Sequence, residues 1–385
     1  MAPESLAIEI RNNTTASELY VSITGTHPSS GLFLLSSDGK TPHHPASPSE
    51  TLTPPSVDVG IPIGKPGATR VLNVPRLSGA RIWFSKGKPL KFFVNPGPAL
   101  VEPSALNRAD ENYNADWGFA EFTLNEAQLY VNISYVDFVS LPVSLGVVSA
   151  GGDGKMRTVP GLPHDGLASV AKGLEKQGGG WEQMVVRKDD GKGAVLRVLS
   201  PNSAAVLFPG IWDGYYDRYV SDVWKKYKKQ DLTVNTQFTW GDVKGRVDSA
   251  GKLLTFKGKE STYSFARPSA LDIFSCSTGP FAHNPETTQE QLNVGARLAA
   301  AFNRSTFSNA VQPEGEDISK YYKPGTGRAT NHYARVCHEV SVGGRGYAFP
   351  YDDVGPSGRG EDEDQSGFLN DGNPKRLVIS VGKPL

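Results

Sequence analysis

Two acidic residues, Glu121 and Asp137, lie sixteen positions apart in segments that are otherwise largely apolar. Side-chain alternation along the predicted strand 117–123 gives one face four residues: Trp117, Phe119, Glu121 and Thr123. On the next predicted strand, Asp137 interrupts an apolar row: Val131, Ile133, Tyr135 and Val139. A carboxylate among apolar neighbours loses hydration, which raises its pKa and destabilises the fold unless the group is paired. The residues alone leave two interpretations open: a general acid and base, or two structural carboxylates bonded to loop amides.

Composition and motifs exclude several other kinds of chemistry. Lysine plus arginine and aspartate plus glutamate each total 40, so no surplus charge attracts a nucleic acid. No apolar run is long enough to span a membrane, and neither a GxSxG nor an HExxH motif occurs. His43 and His44 have no third metal ligand nearby, and the acidic run 361–364 has Asn373 where a calcium loop needs glutamate. We expect a neutral substrate, no nucleic acid or membrane partner, and a reaction without metal or cofactor.

The elements that would carry the two carboxylates are predicted to be mainly β-strands. Short runs of Val, Ile, Tyr and Phe alternate with turns in a chain that contains 42 Gly and 28 Pro. After residue 151 the pattern changes to strands with helices, predicted at 164–177 and 215–229. A third helix is predicted to begin at Thr287, with Glu290 completing a capping box.

Beyond about residue 325 the β pattern returns in three runs, at 333–342, 346–354 and 376–382. The helical segment therefore resembles an insertion into a β domain that is built from both chain ends. The sequence predicts a β domain of residues 1–150 and 325–385, and a mixed α/β domain of residues 151–324. A cleft between the two domains is the expected ligand site.

The chain has two cysteines, Cys276 and Cys337, far apart in the sequence. Their number allows one long-range disulfide, which we expect, and excludes a four-cysteine zinc site. Two buried free thiols are the alternative, because the sequence does not show whether the Cα atoms approach each other. The first residues show no charged segment followed by an apolar one, so we expect no signal peptide within this chain.

Several motifs are similar to those of thaumatin-like proteins, in which two acidic residues line a cleft. They are AEFTL at 120–124, YVNISYVDF at 130–138, LP at 141–142, GARIWFS at 79–85 and GYAFPYDD at 346–353. Within that superfamily, FVNPGPALVEPS, WGFAEFT and VDFVSLP occur in the order found in glycoside hydrolase family 64, the laminaripentaose-producing β-1,3-glucanases. The resemblance in architecture covers nearly the whole chain, and its most specific signal is the Glu121 and Asp137 pair.

This resemblance implies a mainly β, thaumatin-like sandwich or barrel with an inserted α/β domain. It also implies a secreted, monomeric endo-β-1,3-glucanase with an inverting mechanism, in which Glu121 is the general acid and Asp137 the general base. Candidate substrate-binding residues near the acid are Asp110, Asn114, Trp117, Thr123, Asn125, Tyr130 and Asn132. Each of these could equally be a turn or core residue. The alternative function is a thaumatin-like protein that binds β-1,3-glucan without cleaving it.

An inverting mechanism requires the two carboxyl groups to be roughly 6.5–9.5 Å apart, with a water between them. A simple hairpin would pair Glu121 with about residue 132 and leave Asp137 on the order of 17 Å further along the strand. We therefore expect the strands to be offset, bent or bulged, or to lie in different layers.

Overall fold

A computed structural model of the chain describes residues 1–151, 154–189, 191–323, 325, 329–358 and 364–385. Most of the acidic run, residues 361–363, lies outside this part of the chain. No helix among the described residues is long and apolar enough to cross a membrane.

The first part of the chain is built of strands. Their bounds are β1 Ser5–Asn12, β2 Leu19–His27, β3 Gly31–Leu35, β4 Pro42–His43, β5 Ile61–Gly64, β6 Thr69–Pro75, β7 Leu77–Lys86, β8 Phe93–Asn95, β9 Ala99–Val101, β10 Trp117–Leu124, β11 Leu129–Ile133, β12 Phe138–Val139 and β13 Val143–Ser149. Apolar residues alternate along several of these strands, as in β1, where Leu6, Ile8 and Ile10 are buried.

The second part mixes strands and helices. Its elements are β14 Met156–Val159, α1 Gly166–Gln177, β15 Val185–Arg187, β16 Val195–Leu199, α2 Pro201–Leu207, α3 Asp217–Tyr227, β17 Leu232–Asn235, β18 Asp242–Val247, β19 Leu253–Lys257, β20 Thr262–Ala266, α4 Ala270–Ser275, α5 Gln289–Arg304, β21 Val311–Gln312, α6 His332–Val340, β22 Phe368–Asp371 and β23 Pro374–Val381. The chain is thus mainly β with several sheets, as predicted.

Two large sheets are built mostly from the first part and the end of the chain. One has the strand order β14-β13-β23-β1-β6, so the last strand lies between β13 and β1 and runs parallel to β1. The other has the order β22-β11-β10-β7-β2-β3-β4, with β5 also paired to β2. The described residues also form a five-stranded sheet, β20-β19-β18-β17-β21, a three-stranded sheet, β12-β16-β15, and a two-stranded sheet, β8-β9. The strands β10, β11 and β7, which matter for function, are thus neighbours in one sheet.

Helices α1, α3 and α5 lie close to their predicted positions, but one detail of α5 was wrong. Its N-cap is Thr288, whose side chain accepts a hydrogen bond from the backbone N–H of Gln291. The carboxylate of Glu290 instead accepts from the backbone N–H groups of Lys259 and Glu260. The predicted capping box between Thr287 and Glu290 is therefore not formed, because Glu290 ties the helix to the loop after β19.

The β pattern predicted after residue 325 was only partly correct. Segment 333–342 lies mostly in helix α6, which Asn331 caps by accepting a hydrogen bond from the backbone N–H of Ala334. Alternation and helical spacing are hard to separate over so short a run, and the capping residue decides between them. Segment 346–354 is made of turns with one isolated bridge, from Tyr347 to Ser134. The strand predicted at 376–382 is confirmed as β23.

The two cysteines are free thiols, so the disulfide expected between Cys276 and Cys337 is not formed. Both side chains are buried, and the Cys276 thiol donates to the backbone carbonyl of Ile273. Burial raises the pKa of both thiols because the thiolate would lose its hydration. These are inert structural thiols of the kind that the sequence left as the alternative.

We expect both thiols to resist a maleimide reagent in the native protein. After denaturation without reductant, two equivalents should react per chain, which intact-mass measurement would count. A denatured chain that takes up no maleimide until a reductant is added would show that the disulfide exists after all.

Candidate active site

Glu121 lies in the middle of β10, on a face shared with residues of both neighbouring strands. It pairs with Asn132 of β11 on one side and with Arg81 of β7 on the other. Residues that are directly opposite in antiparallel strands point to the same side of a sheet. The register therefore brings the side chains of Arg81, Glu121 and Asn132 together in one row across three strands.

Both oxygens of the Glu121 carboxylate are held by this row. The Arg81 Nε donates to Glu121 Oε1 at 3.2 Å, and the Asn132 Nδ2 donates to Glu121 Oε2 at 3.4 Å. Arg81 also donates from Nη1 to Glu102 Oε2 at 2.5 Å, and its guanidinium lies 4.7 Å from the centre of the Phe119 ring. The half-buried Glu121 is therefore oriented by a cation that is itself fixed on a second carboxylate.

Arg81 and Glu102 were not predicted as site residues from the sequence. Both lie inside motifs used for the resemblance, GARIWFS and FVNPGPALVEPS, but neither was considered as a site residue. A signal was present, because Arg81 is a charged side chain within an apolar strand. Glu102 was harder to predict from the sequence, since it follows the short strand β9 and approaches Arg81 only in the folded chain.

Asp137 does not lie on a strand, contrary to the prediction. Strand β11 ends at Ile133, and the chain then bonds elsewhere: the backbone N–H of Tyr135 donates to the carbonyl of Tyr347 at 2.8 Å. Asp137 occupies a bend directly before β12, and its carbonyl accepts from the backbone N–H of Ser200 at 2.9 Å. The expected apolar row is therefore broken, with Tyr135 buried and Asp137 exposed.

This bend resolves the difficulty of a straight hairpin. Glu121 does face Asn132, but the chain leaves the sheet after Ile133 and does not continue along it. Phe138, the neighbour of Asp137, packs its ring 4.9 Å from Trp117 and 5.9 Å from Phe119, centre to centre. The bend thus brings Asp137 to the side of β10 on which Glu121 lies.

The acidic groups at this site influence one another's ionisation. The pKa of Asp137 is raised, first because surrounding protein removes part of its hydration; the charge of Glu121 raises it too, while Arg81 opposes the shift. Desolvation also raises the pKa of Glu102. The charges of Glu121 and Asp137 raise this pKa further, while the charge of Arg81 lowers it. Three carboxylates and one guanidinium therefore form one electrostatically coupled cluster.

Three of the predicted substrate-binding residues lie on the face of Glu121. Thr123 pairs with Tyr130 as Glu121 pairs with Asn132, so all four side chains share one side of the hairpin. The Tyr130 ring stacks on Phe368 of β22 at 5.2 Å and 20° between planes. Asn132 is buried with its amide turned to Glu121, so it orients the carboxylate. Thr123 and Tyr130 are half-buried and lie one cross-strand pair away from Glu121 and Asn132 on the same face.

Of the other four candidates, Trp117 is buried, which corrects its prediction, while Asp110, Asn114 and Asn125 lie in loop segments and stay predictions. The Trp117 side chain is 2% exposed and its indole N–H donates to the carbonyl of Asn112, so the ring cannot stack on a sugar. Asp110 accepts hydrogen bonds from the backbone N–H groups of Ser104 and Asn112, which makes it a turn residue. Asn125 caps the β10–β11 turn, accepting from the N–H groups of residues 127 and 128. Asn114 lies exposed in the turn before β10.

The arrangement is suited to proton transfer by carboxylates. Glu121 is held from both sides, while Asp137 is exposed to solvent, has a raised pKa and arrives from a separate segment of chain. Two carboxyl groups in different environments are the usual basis for dividing acid and base roles. Within the described ranges, no group of three or more His, Cys, Asp or Glu side chains is arranged to hold a metal ion.

The chain matches the family model described as Beta-1,3-glucanase over residues 4–381. It is 30% identical over 318 residues, 80% of its length, to the glucan endo-1,3-beta-glucosidases of Cellulosimicrobium cellulans and of Arthrobacter sp. (strain YCWD3). The chain spans about half the length, 53%, of each of these curated relatives.

Solved structures agree with the family match. The crystal structure of a laminaripentaose-producing beta-1,3-glucanase in complex with laminaritetraose superposes with a TM-score of 0.83 at 30% identity, covering 98% of this chain and 99% of that one. A beta-1,3-glucanase domain from Clostridium beijerinckii superposes with a TM-score of 0.72 at 20% identity, covering 99% and 100%, and supports the fold alone. The mainly β architecture with several sheets is thus shared with these proteins.

Proposed function

The chain belongs to glycoside hydrolase family 64, the β-1,3-glucanase family, and on this premise we propose that it cleaves β-1,3-glucan internally into short laminarioligosaccharides. The observation that carries the proposal is the Glu121 and Asp137 arrangement. One carboxylate is fixed on a strand by Arg81 and Asn132, and the other is brought to it by a bend. The laminaritetraose complex of the similar structure supports a linear β-1,3-glucan as the partner.

In the proposed reaction Glu121 donates its proton to the glycosidic oxygen while the bond to the anomeric carbon breaks. A water molecule attacks that carbon from the opposite face, and Asp137 accepts the proton that the water loses. The new hydroxyl therefore has the α configuration, which is what an inverting enzyme produces from a β linkage. Glu102 gives Arg81 a second anionic partner through a different nitrogen, which fixes the guanidinium beside the Glu121 carboxylate.

We further propose that the fold is a thaumatin-like β domain, formed by residues 1–150 and 325–385, with an inserted α/β domain at 151–324. The position of β23 between β1 and β13 supports a domain made from both chain ends. The pairing of β14 with β13 favours a first boundary closer to residue 160 than to 150. The sheet β20-β19-β18-β17-β21 lies wholly within the proposed insertion.

We propose that the protein is secreted, because an intact polysaccharide such as β-1,3-glucan occurs outside the cell. We also propose that it acts as a monomer. The two free thiols give this localisation no support.

The activity is tested by measuring reducing ends released from linear β-1,3-glucan, together with the size distribution of the early products. Endo cleavage predicts a mixture of oligosaccharides and a rapid fall in the viscosity of the polymer. A protein that sediments with the insoluble glucan but releases no reducing ends would instead be the non-catalytic glucan-binding protein.

The fall of kcat/KM at acidic pH should reflect the ionisation of Asp137. The proposed base works only when ionised, so kcat/KM should be lost as pH falls through its pKa, which is raised above the ordinary value of about 3.9. Arg81→Met removes the cation that opposes this rise, so the acid limb should move to higher pH.

The measurement is kcat/KM on soluble laminarin between pH 3 and 8, on the order of ten points, with exposed Arg246→Met as the matched control. An acid limb that stays in place or moves to lower pH in Arg81→Met would contradict the assignment of Asp137 as the base.

A further inference from the structure

A cavity lies where residues of the proposed α/β domain meet the turn at 350–354, and it includes no residue of the β10–β11 hairpin. Its volume is about 670 Å³, within the range of roughly 300–1,000 Å³ that is typical of small-molecule sites. It forms where the β17–β18 turn, helix α5 and the turn at 350–354 meet. The lining residues that matter here, called the aromatic cavity below, are Gln237, Phe238, Trp240, Arg297, Tyr351 and Asp353.

Three aromatic side chains surround this cavity, and two of them are exposed. Phe238 is 61% exposed and Tyr351 is 37% exposed. The ring of Phe238 lies 4.7 Å from that of Trp240, whose indole N–H donates to Glu260 Oε1 at 2.9 Å and so keeps its orientation. Single exposed apolar residues are common, but aromatic rings grouped around one concave surface are typical of ligand sites.

The walls of the aromatic cavity are held rigidly by polar bonds. Arg297 of α5 donates from Nε to the carbonyl of Asn235 and from Nη2 to Gln237 Oε1, at 2.8 and 3.0 Å. Gln237 in turn donates from Nε2 to Glu314 Oε1 at 2.8 Å. Gln237 and Tyr351 both have positive φ, 53° and 67°, a conformation that side chains adopt only where the surrounding structure enforces it. Such preorganised walls lower the cost of ordering on binding.

The aromatic cavity is connected to the Glu121 site through two tyrosines. Asp353 Oδ1 accepts from the hydroxyl of Tyr347 at 2.9 Å, and Tyr347 bonds through its backbone to Tyr135, two residues before Asp137. After desolvation, the charges of Asp353 and Glu121 are the main causes that raise the pKa of Tyr130. Tyr130 is therefore within electrostatic reach of both Glu121 and Asp353, one residue from each site.

We propose that the aromatic cavity is a subsite that binds glucose units of the same β-1,3-glucan chain at a distance from the bond being cleaved. The inference rests on the proposed function and extends it to the substrate length that the protein recognises. A glucose ring presents C–H groups on its faces, which pack on aromatic rings, and hydroxyl groups at its edge, which bond to polar side chains. Arg297 and Asp353 carry opposite charges, so the lining suits a neutral ligand.

The experiment measures binding without turnover. Calorimetric titrations with laminarihexaose compare Glu121→Gln with Glu121→Gln carrying Phe238→Ala or Trp240→Ala. We expect each second substitution to weaken binding between about threefold and tenfold, the loss typical of one aromatic stacking contact. Phe208→Ala in the same background is the matched control, because Phe208 is a partly exposed phenylalanine outside the aromatic cavity and should leave the affinity unchanged.

Unchanged laminarihexaose affinity in both aromatic variants would overturn the inference, even if the wild type hydrolyses glucan. Absence of any binding in the Glu121→Gln background would overturn it as well. If the wild type releases no reducing ends, but laminarihexaose binds and Phe238→Ala weakens that binding, the hydrolytic function fails while the subsite stands.

Discussion

Replacing Glu121 by Gln will lower kcat on linear β-1,3-glucan by at least about a hundredfold, and by up to about ten-thousandfold, while the polysaccharide still binds. Gln keeps the shape of the side chain and can still contact Arg81 and Asn132 through its amide group. It cannot give up a proton to the glycosidic oxygen, so the leaving group would have to depart as an unprotonated alkoxide. The expected loss is therefore in kcat, with little change in the affinity for glucan.

The matched control is Glu126→Gln, in the turn of the same hairpin, where the side chain is 84% exposed and forms an ion pair with Arg76. Its activity should equal that of the wild type. Steady-state rates of reducing-end release would be compared at saturating glucan. A Glu121→Gln variant with more than about a tenth of the wild-type kcat would remove Glu121 from the acid role.

The second large effect is expected from Asp137→Asn, which should also lower kcat by about a hundredfold to ten-thousandfold. Asparagine can orient a water molecule but cannot take its proton at neutral pH. Asp137 is exposed on a bend, so this substitution should leave the melting temperature nearly unchanged. Asp213→Asn, at an exposed loop position before α3, is the matched control.

A substrate with an activated leaving group separates the two roles. A dinitrophenyl laminarioside needs no protonation of its leaving oxygen, so Glu121→Gln should recover much of its rate on that substrate. Asp137→Asn should stay slow, because the attacking water still lacks its base. Equal recovery in both variants would show that the acid and base have been assigned wrongly.

The strand that carries Glu121 could be predicted from the sequence, but the position of Asp137 could not. Alternation along β10 is a local property, whereas the end of β11 depends on Tyr347, more than two hundred residues later, which bonds to Tyr135. The same long-range dependence hid the cluster around Arg81, where Glu102 arrives from a different part of the chain. Local pattern therefore predicted the strand of Glu121, the family resemblance implied its role as the acid, and the geometry of the pair depended on the tertiary structure.

The errors elsewhere have similar physical origins. Trp117 was a candidate sugar-binding residue that shares a face with Glu121, but its ring is buried and packs on Phe138. Helix α6 was taken for a strand because a short run of apolar residues fits both periods until its cap at Asn331 is known. The aromatic cavity gave no sequence signal, since Phe238, Tyr351 and helix α5 come together only in the fold.

The central claim is that Glu121 and Asp137 act as acid and base on opposite faces of the sugar. Proton NMR of the first product, recorded within minutes of mixing and before the anomers equilibrate, tests it most directly. We expect the newly formed reducing end to appear first as the α anomer and then to mutarotate. A β anomer as the first product would contradict the account, because it would require a covalent intermediate on a nucleophile and not a water activated by Asp137.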